Sequence, residues 1–135
     1  MRFFLTGVST GGIFLFFVSC ATVPTEPLAA GELRLLSMNV LKDGEIRANL
    51  PLMVNVNFEA DGKPEIRTAC FYFSGDGPYC LKATDVNYGS PGTIKIQVRA
   101  NTSVSYLLEG YILYIRDGKL QPSNVIATHV RVISP

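Results

Sequence analysis

Residues 33–133 alternate apolar and polar side chains in short runs broken by turn residues, the period-two pattern of strands that bury one face. Along 52–58, Leu52, Val54, Val56 and Phe58 fall on one side and Met53, Asn55 and Asn57 on the other. Along 93–99, Ile94, Ile96 and Val98 alternate with Lys95, Gln97 and Arg99. Runs of this kind suit antiparallel sheets with one solvated face. Further strands are expected over 33–41, 65–74, 79–86, 106–116 and 124–133. No segment after residue 19 carries a 3.6-residue apolar stripe with caps, so the expected fold is all-β. Seven strands in about 100 residues predict a two-sheet antiparallel sandwich rather than a closed barrel.

The punctuation agrees with the strands. Asp-Gly occurs four times, at Asp43-Gly44, Asp61-Gly62, Asp76-Gly77 and Asp117-Gly118, each between apolar runs. Glycine accepts positive φ and aspartate tolerates it, so each pair is expected to reverse the chain between antiparallel strands. A calcium loop needs several oxygen ligands at alternating positions, and no D-x-D-x-D spacing occurs.

The N-terminus follows a different pattern. Met1-Arg2 is followed by a largely apolar run, Phe3 to Val18, and by the small residues Ser19, Cys20 and Ala21. This is the layout of a cleaved secretory signal. The run falls short of the roughly 20 residues that cross a bilayer comfortably. Phe17-Val18-Ser19-Cys20 resembles the lipobox of bacterial lipoproteins, with phenylalanine where leucine is usual. The resemblance implies that Cys20 carries a diacylglyceryl thioether and an acylated amine, enough chains for stable anchoring in a bilayer. It also implies a location in the bacterial cell envelope, and the absence of aspartate at Ala21 favours the outer membrane. The same residues permit a second cut, after Ala21, which discards Cys20 and yields a secreted soluble form. The expected organisation is a signal peptide over 1–19, the lipidated cysteine and a proline-containing tether over 20–31, and one domain over 32–135.

Charge and cysteines narrow the partners. The chain has 12 basic and 11 acidic residues, and loss of Arg2 with the signal leaves a formal net charge of zero. Nucleic acid and anionic surfaces select clustered Lys and Arg, so nucleic acid is not an expected partner. Of the 3 cysteines, Cys70 and Cys80 remain once Cys20 is set aside, and an exported pair reads as one disulfide. If 65–74 and 79–86 form a hairpin, Cys70 and Cys80 sit opposite one another and staple its base. A metal would need more ligands, and the only histidine is His129.

The strand Tyr106-Leu107-Leu108-Glu109-Gly110-Tyr111-Ile112-Leu113-Tyr114-Ile115-Arg116, the turn Asp117-Gly118-Lys119 and the following Ser123-Asn124 are similar to strands F and G of fibronectin type III and immunoglobulin-like sandwiches. The resemblance implies an Ig-like sandwich. It is one without the usual core tryptophan, since the chain has none, and with a cysteine pair too close in sequence to be the inter-sheet disulfide of antibody domains.

Catalytic chemistry finds little support. His129 lies on the parity of Arg131, facing solvent, with no Ser, Cys or acid motif beside it. The carboxylates are scattered, and Gly75 and Gly77 lack the lysine and helix of a phosphate loop. No cofactor is expected. Asn101-Thr102-Ser103 matches a glycosylation sequon that a bacterial protein gives no reason to use. Tyrosine is favoured at interfaces because its body is apolar and its tip polar. Tyr72, Tyr79 and Tyr88, grouped around the cysteine hairpin, are therefore the candidate interaction surface. The expected function is a non-enzymatic protein-interaction or structural module that meets the bilayer through Cys20 and an envelope protein through its domain. The alternative is a carbohydrate- or polymer-binding module using exposed tyrosines.

Overall fold

The computed structural model of the protein describes residues 26–40, 46–47, 51–99 and 104–133. The signal run, Cys20, the Asp43-Gly44 turn and the Asn101-Thr102-Ser103 sequon lie outside the described residues. The regular structure described is all strand: β1 (Leu33–Val40), β2 (Ile46–Arg47), β3 (Leu52–Ala60), β4 (Ile66–Phe73), β5 (Asp76–Lys82), β6 (Asp85–Asn87), β7 (Gly92–Val98), β8 (Tyr106–Arg116), β9 (Lys119–Pro122), β10 (Ile126–Val130) and β11 (Val132–Ile133).

Two antiparallel sheets form a sandwich. One has four strands in the order β1-β3-β7-β6, and the other has five, with β5-β4-β8 followed by β9 and β10 side by side along the far edge of β8. A short parallel pairing joins β2 to β11. The alternation read from the sequence places Leu52, Val54, Val56, Phe58, Ile94, Ile96 and Val98 inside. From the other sheet they meet Ala69, Phe71, Leu108, Ile112, Tyr114, Ile126 and Val130, all in one buried cluster.

The strand count is nine in the two sheets rather than the seven expected. The run 79–86 divides because its inward parity slips: Tyr79 and Leu81 share β5 of one sheet, while Val86 belongs to β6 of the other. The crossing at Ala83-Thr84 is fixed by the Ala83 amide, which donates to the Arg67 carbonyl at 3.1 Å. The second addition is β9, which pairs with β8 before the chain bends at Ser123-Asn124 into β10.

Asp61-Gly62 and Asp117-Gly118 do lie at turns, the latter a two-residue reversal with φ of 53° and 74°. Asp76-Gly77 does not. The reversal falls two residues earlier, at Ser74 (φ 49°) and Gly75 (φ 88°), and Asp76 and Gly77 open β5. Phe71 faces Tyr79 and Phe73 faces Asp76, so Tyr72 opposes both Gly77 and Pro78 in a bulge. Gly77 serves that bulge: at φ 141° an added Cβ would lie 2.7 Å from the Phe71 carbonyl oxygen.

The two ends and the two flanks of the sandwich differ. At the end where the chain enters, the Gly31 amide donates to Asp61 Oδ2 at 2.9 Å and Arg116 Nε donates to the Ala30 carbonyl at 3.0 Å. One flank is closed by Asn124, whose Oδ1 accepts from the Leu35 amide at 2.7 Å and whose Nδ2 donates to the Leu35 carbonyl at 3.0 Å. A side chain thus replaces a strand pairing between β1 and the β9–β10 bend. On the opposite flank the chain crosses at Ala83-Thr84, and among the described residues no strand bridges the two sheet edges beyond it.

Candidate interaction surfaces

The tyrosines expected to form one surface occupy three. Tyr72 stands on the outer face of the five-stranded sheet, its ring 6.3 Å from that of Tyr111 at a 37° tilt. Tyr79 lies on β5 with the opposite parity, 51% exposed, its hydroxyl donating to Asp76 Oδ2 at 2.7 Å and its ring 5.7 Å from Phe73. The acceptor carboxylate and its charge push the Tyr79 pKa up. Tyr88 is near the end where the chain enters. It meets Phe58 edge-on at 5.8 Å, and its hydroxyl donates to the Pro64 carbonyl. Burial pushes its pKa up. The sequence places these three residues close to the cysteine hairpin, but the parity of β5 and the crossing to the other sheet send them apart.

Cys70 and Cys80 form the disulfide, directly opposite one another in the β4–β5 ladder. Cys70 also stands opposite Tyr111 on β8, which places the bridge on the outer face beside the Tyr72 and Tyr111 rings.

That outer face is apolar to an unusual degree for a sheet side turned to solvent. Residues Leu107, Tyr111, Leu113 and Ile115 of β8 all point outward and are half-buried. They continue into Leu120, 53% exposed, and Val125, 36% exposed. Tyr72, Tyr111, Leu113, Pro122, Ser123 and Val125 line a groove of about 350 Å³. Glu109 is the one acidic side chain on the outward parity of β8. The outer face of the four-stranded sheet is polar by comparison. It carries Asn39, Asn55, Asn57, Thr93, Lys95 and Gln97, with Asn57 Nδ2 donating to Ser37 Oγ at 2.9 Å and Asn55 Nδ2 to Asn57 Oδ1 at 3.2 Å.

A sequence signal for the apolar face exists in β8 itself. Tyr106 to Ile115 is apolar on both parities except at Glu109 and Gly110. In a two-layer fold only one of those parities can face the core.

A hollow lies on the open flank, at the end away from the chain's point of entrance. It measures about 560 Å³ and is lined by Phe71, Phe73, Tyr79, Leu81, Val98 and Tyr106, with Asp76 and Arg99 among its polar residues. The Tyr106 hydroxyl is buried without a hydrogen-bond partner, and burial pushes its pKa up. The one carboxylate in the lining, Asp76, already accepts the Tyr79 hydroxyl. What this cleft offers a ligand is apolar area. His129 is exposed on β10 opposite Leu107, as its parity predicts. Among the described residues no three His, Cys, Asp or Glu side chains gather as a metal site.

Comparison of the chain with protein-family models, with curated proteins and with solved structures returns no match.

Proposed function

We propose that the chain is a lipid-anchored envelope protein whose immunoglobulin-like sandwich works without catalysis, by docking on another protein. The observation that carries the reading is the contrast between the outer faces. One sheet turns asparagines, threonine and lysine to solvent, and the other turns Tyr72, Tyr111, Leu113 and Ile115. Aromatic-rich apolar patches on a folded surface are the usual mark of an interaction site. The Ig-like assignment draws support from strand order. If β1, β3, β4, β5, β6, β7 and β8 are lettered A, B, C, C′, D, E and F, the sheets read A-B-E-D and C′-C-F with G beyond, an order similar to that of immunoglobulin domains. The anchor rests on Phe17-Val18-Ser19-Cys20 and is read directly from the intact mass of the exported chain. Added acyl mass on a chain starting at Cys20 supports it, and an unmodified chain starting at Thr22 overturns it.

Docking is tested in native membranes with a photo-crosslinking residue placed at Tyr72 or Leu113 on one face and at Asn55 or Thr93 on the other. Discrete protein adducts are expected from the first pair and not the second. Equal labelling of both faces would overturn the docking reading. So would saturable glycan binding that disappears in Tyr72→Ala and Tyr111→Ala, which would establish the carbohydrate-binding alternative.

A further inference from the structure

The open flank of the sandwich brings together two unfinished sheet edges and exposed apolar side chains. Strand β6 covers β7 only at Thr93, Ile94 and Lys95, and among the described residues no strand pairs with β7 on that side from Ile96 to Val98. Across the gap, β5 is the last strand of its own sheet among the described residues. Between the edges lies the 560 Å³ cleft, into which Tyr79 (51% exposed), Leu81 (40%) and Val104 (65%) all contribute. Covering such side chains gains about 25 cal/mol per Å² of apolar surface removed from water.

The edges are not equivalent. Pro78, the bulge at Gly77-Pro78 and Lys82 blunt β5, the devices by which natural sheets discourage a further strand. Between Ile96 and Val98 the edge of β7 carries none of these. A small hydrophobe or an acyl chain would fill the cleft without pairing with the main chain of β7, which no described strand covers from Ile96 to Val98. An extended peptide does both: its main chain meets the edge, and every second side chain enters the apolar space. The described chain begins at the far end, where Gly31 and Ala30 are held by Asp61 and Arg116.

We propose that this cleft accepts one extended segment of another polypeptide, which adds to β7 at Ile96–Val98 in line with β6 and lays alternate apolar side chains against Tyr79, Leu81 and Val104. The site is separate from the outer face of the five-stranded sheet and does not depend on it.

The test uses the exported, processed protein and a phage-displayed library of random dodecapeptides. Selected peptides should alternate apolar residues, and on binding should shift the amide resonances of Gln97, Val98 and Leu81 but not those of Asn55 or Tyr111. Affinity should fall about tenfold or more in Leu81→Lys and when alternate peptide amides are N-methylated, and stay unchanged in Leu113→Thr. Leu81 is already exposed, so the substitution leaves the fold intact. Absence of enrichment would overturn the proposal, as would binding indifferent to N-methylation, which would mark an apolar pocket without strand pairing. Binding lost in Leu113→Thr would overturn it too, by moving the site to the outer face. Adducts from Tyr72 in membranes without peptide enrichment would remove this site and leave outer-face docking standing.

Discussion

In the four-stranded sheet Phe58 stands opposite Gly92, and in the five-stranded sheet Phe71 stands opposite Gly110. Both rings are buried, and each lies over the bare backbone of its glycine. The inner faces thus use one device twice: a large ring fills the space that a missing side chain leaves on the neighbouring strand. The outer faces share nothing of the kind. One is a polar ladder joined by its own hydrogen bonds, and the other is apolar and aromatic. Folding demands a dry inner face from both sheets and leaves the outer face open to other selection. The departure from alternation in β8 is therefore the place to look for function.

If the two inner faces are equivalent, Phe58→Ala and Phe71→Ala should cost about the same, roughly 3–5 kcal/mol each, as lost transfer plus cavity. Urea unfolding monitored by circular dichroism measures both. A cost for Phe71→Ala below about 1 kcal/mol would show that the open flank lets the five-stranded sheet collapse around the loss.

The glycines should separate the sheets. A Cβ on Gly92 would lie 2.3 Å from the Phe58 ring, which is buried on all sides, whereas on Gly110 it would lie 3.1 Å from Phe71. Gly92→Ala is expected to cost about 3 kcal/mol and Gly110→Ala about 1 kcal/mol, both by overpacking. Equal costs would show that backbone shifts relieve the tighter contact. The disulfide has no counterpart in the four-stranded sheet. Replacing both Cys70 and Cys80 by alanine should remove up to about 3 kcal/mol in the chain-entropy picture of so short a loop. An unchanged urea midpoint would mean that the β4–β5 ladder holds its register unaided.

Polarity also divides the inner faces. The buried inward residues of β3 and β7 are wholly apolar, while β8 contributes Tyr106 and Tyr114. The Tyr106 hydroxyl has no partner, so Tyr106→Phe should stabilise the domain by about 1 kcal/mol. Burial raises its folded pKa above the unfolded value of about 10. As pH climbs past that value the unfolded chain releases the proton first, so stability falls through the window between the two values. Thermal melts on the alkaline side should show a shallower loss in Tyr106→Phe. Identical slopes would place the titration elsewhere.

The sequence carried the alternation of β3 and β7 and the outward parity of His129, because each follows from period two within a single strand, and it carried the opposition of Cys70 and Cys80 through the hairpin between their strands. It was less informative wherever two strands met. The division at Ala83-Thr84 depends on which sheet receives Val86, although the slip from Leu81 to Val86 marks it. The turn at Ser74-Gly75 was hidden by an equally good Asp-Gly next to it, whose glycine serves a bulge. The candidate surface was legible as a set of tyrosines but not as one place, since Tyr72, Tyr79 and Tyr88 reach three surfaces by parity and crossing. The apolar outer face and the open cleft are properties of the assembled sheets.

The smallest expected effects separate structure from function most sharply. On the polar face, Asn57 is bonded to Ser37 and to Asn55, so Asn57→Leu should cost about 1 kcal/mol through the partners it leaves behind. On the apolar face, Leu113 points outward, half-buried, and lines the groove rather than the core. Threonine suits a strand as well as leucine does. Leu113→Thr should therefore lie within about 0.5 kcal/mol of the parent in urea unfolding, while abolishing the adducts formed from Tyr72 in membranes. That pairing would mean that the polar outer face supports the fold and the apolar one is held for a partner. A loss in Leu113→Thr as large as that in Asn57→Leu would make the outward leucine part of the packing, and the contrast between the two faces would then need no partner to explain it.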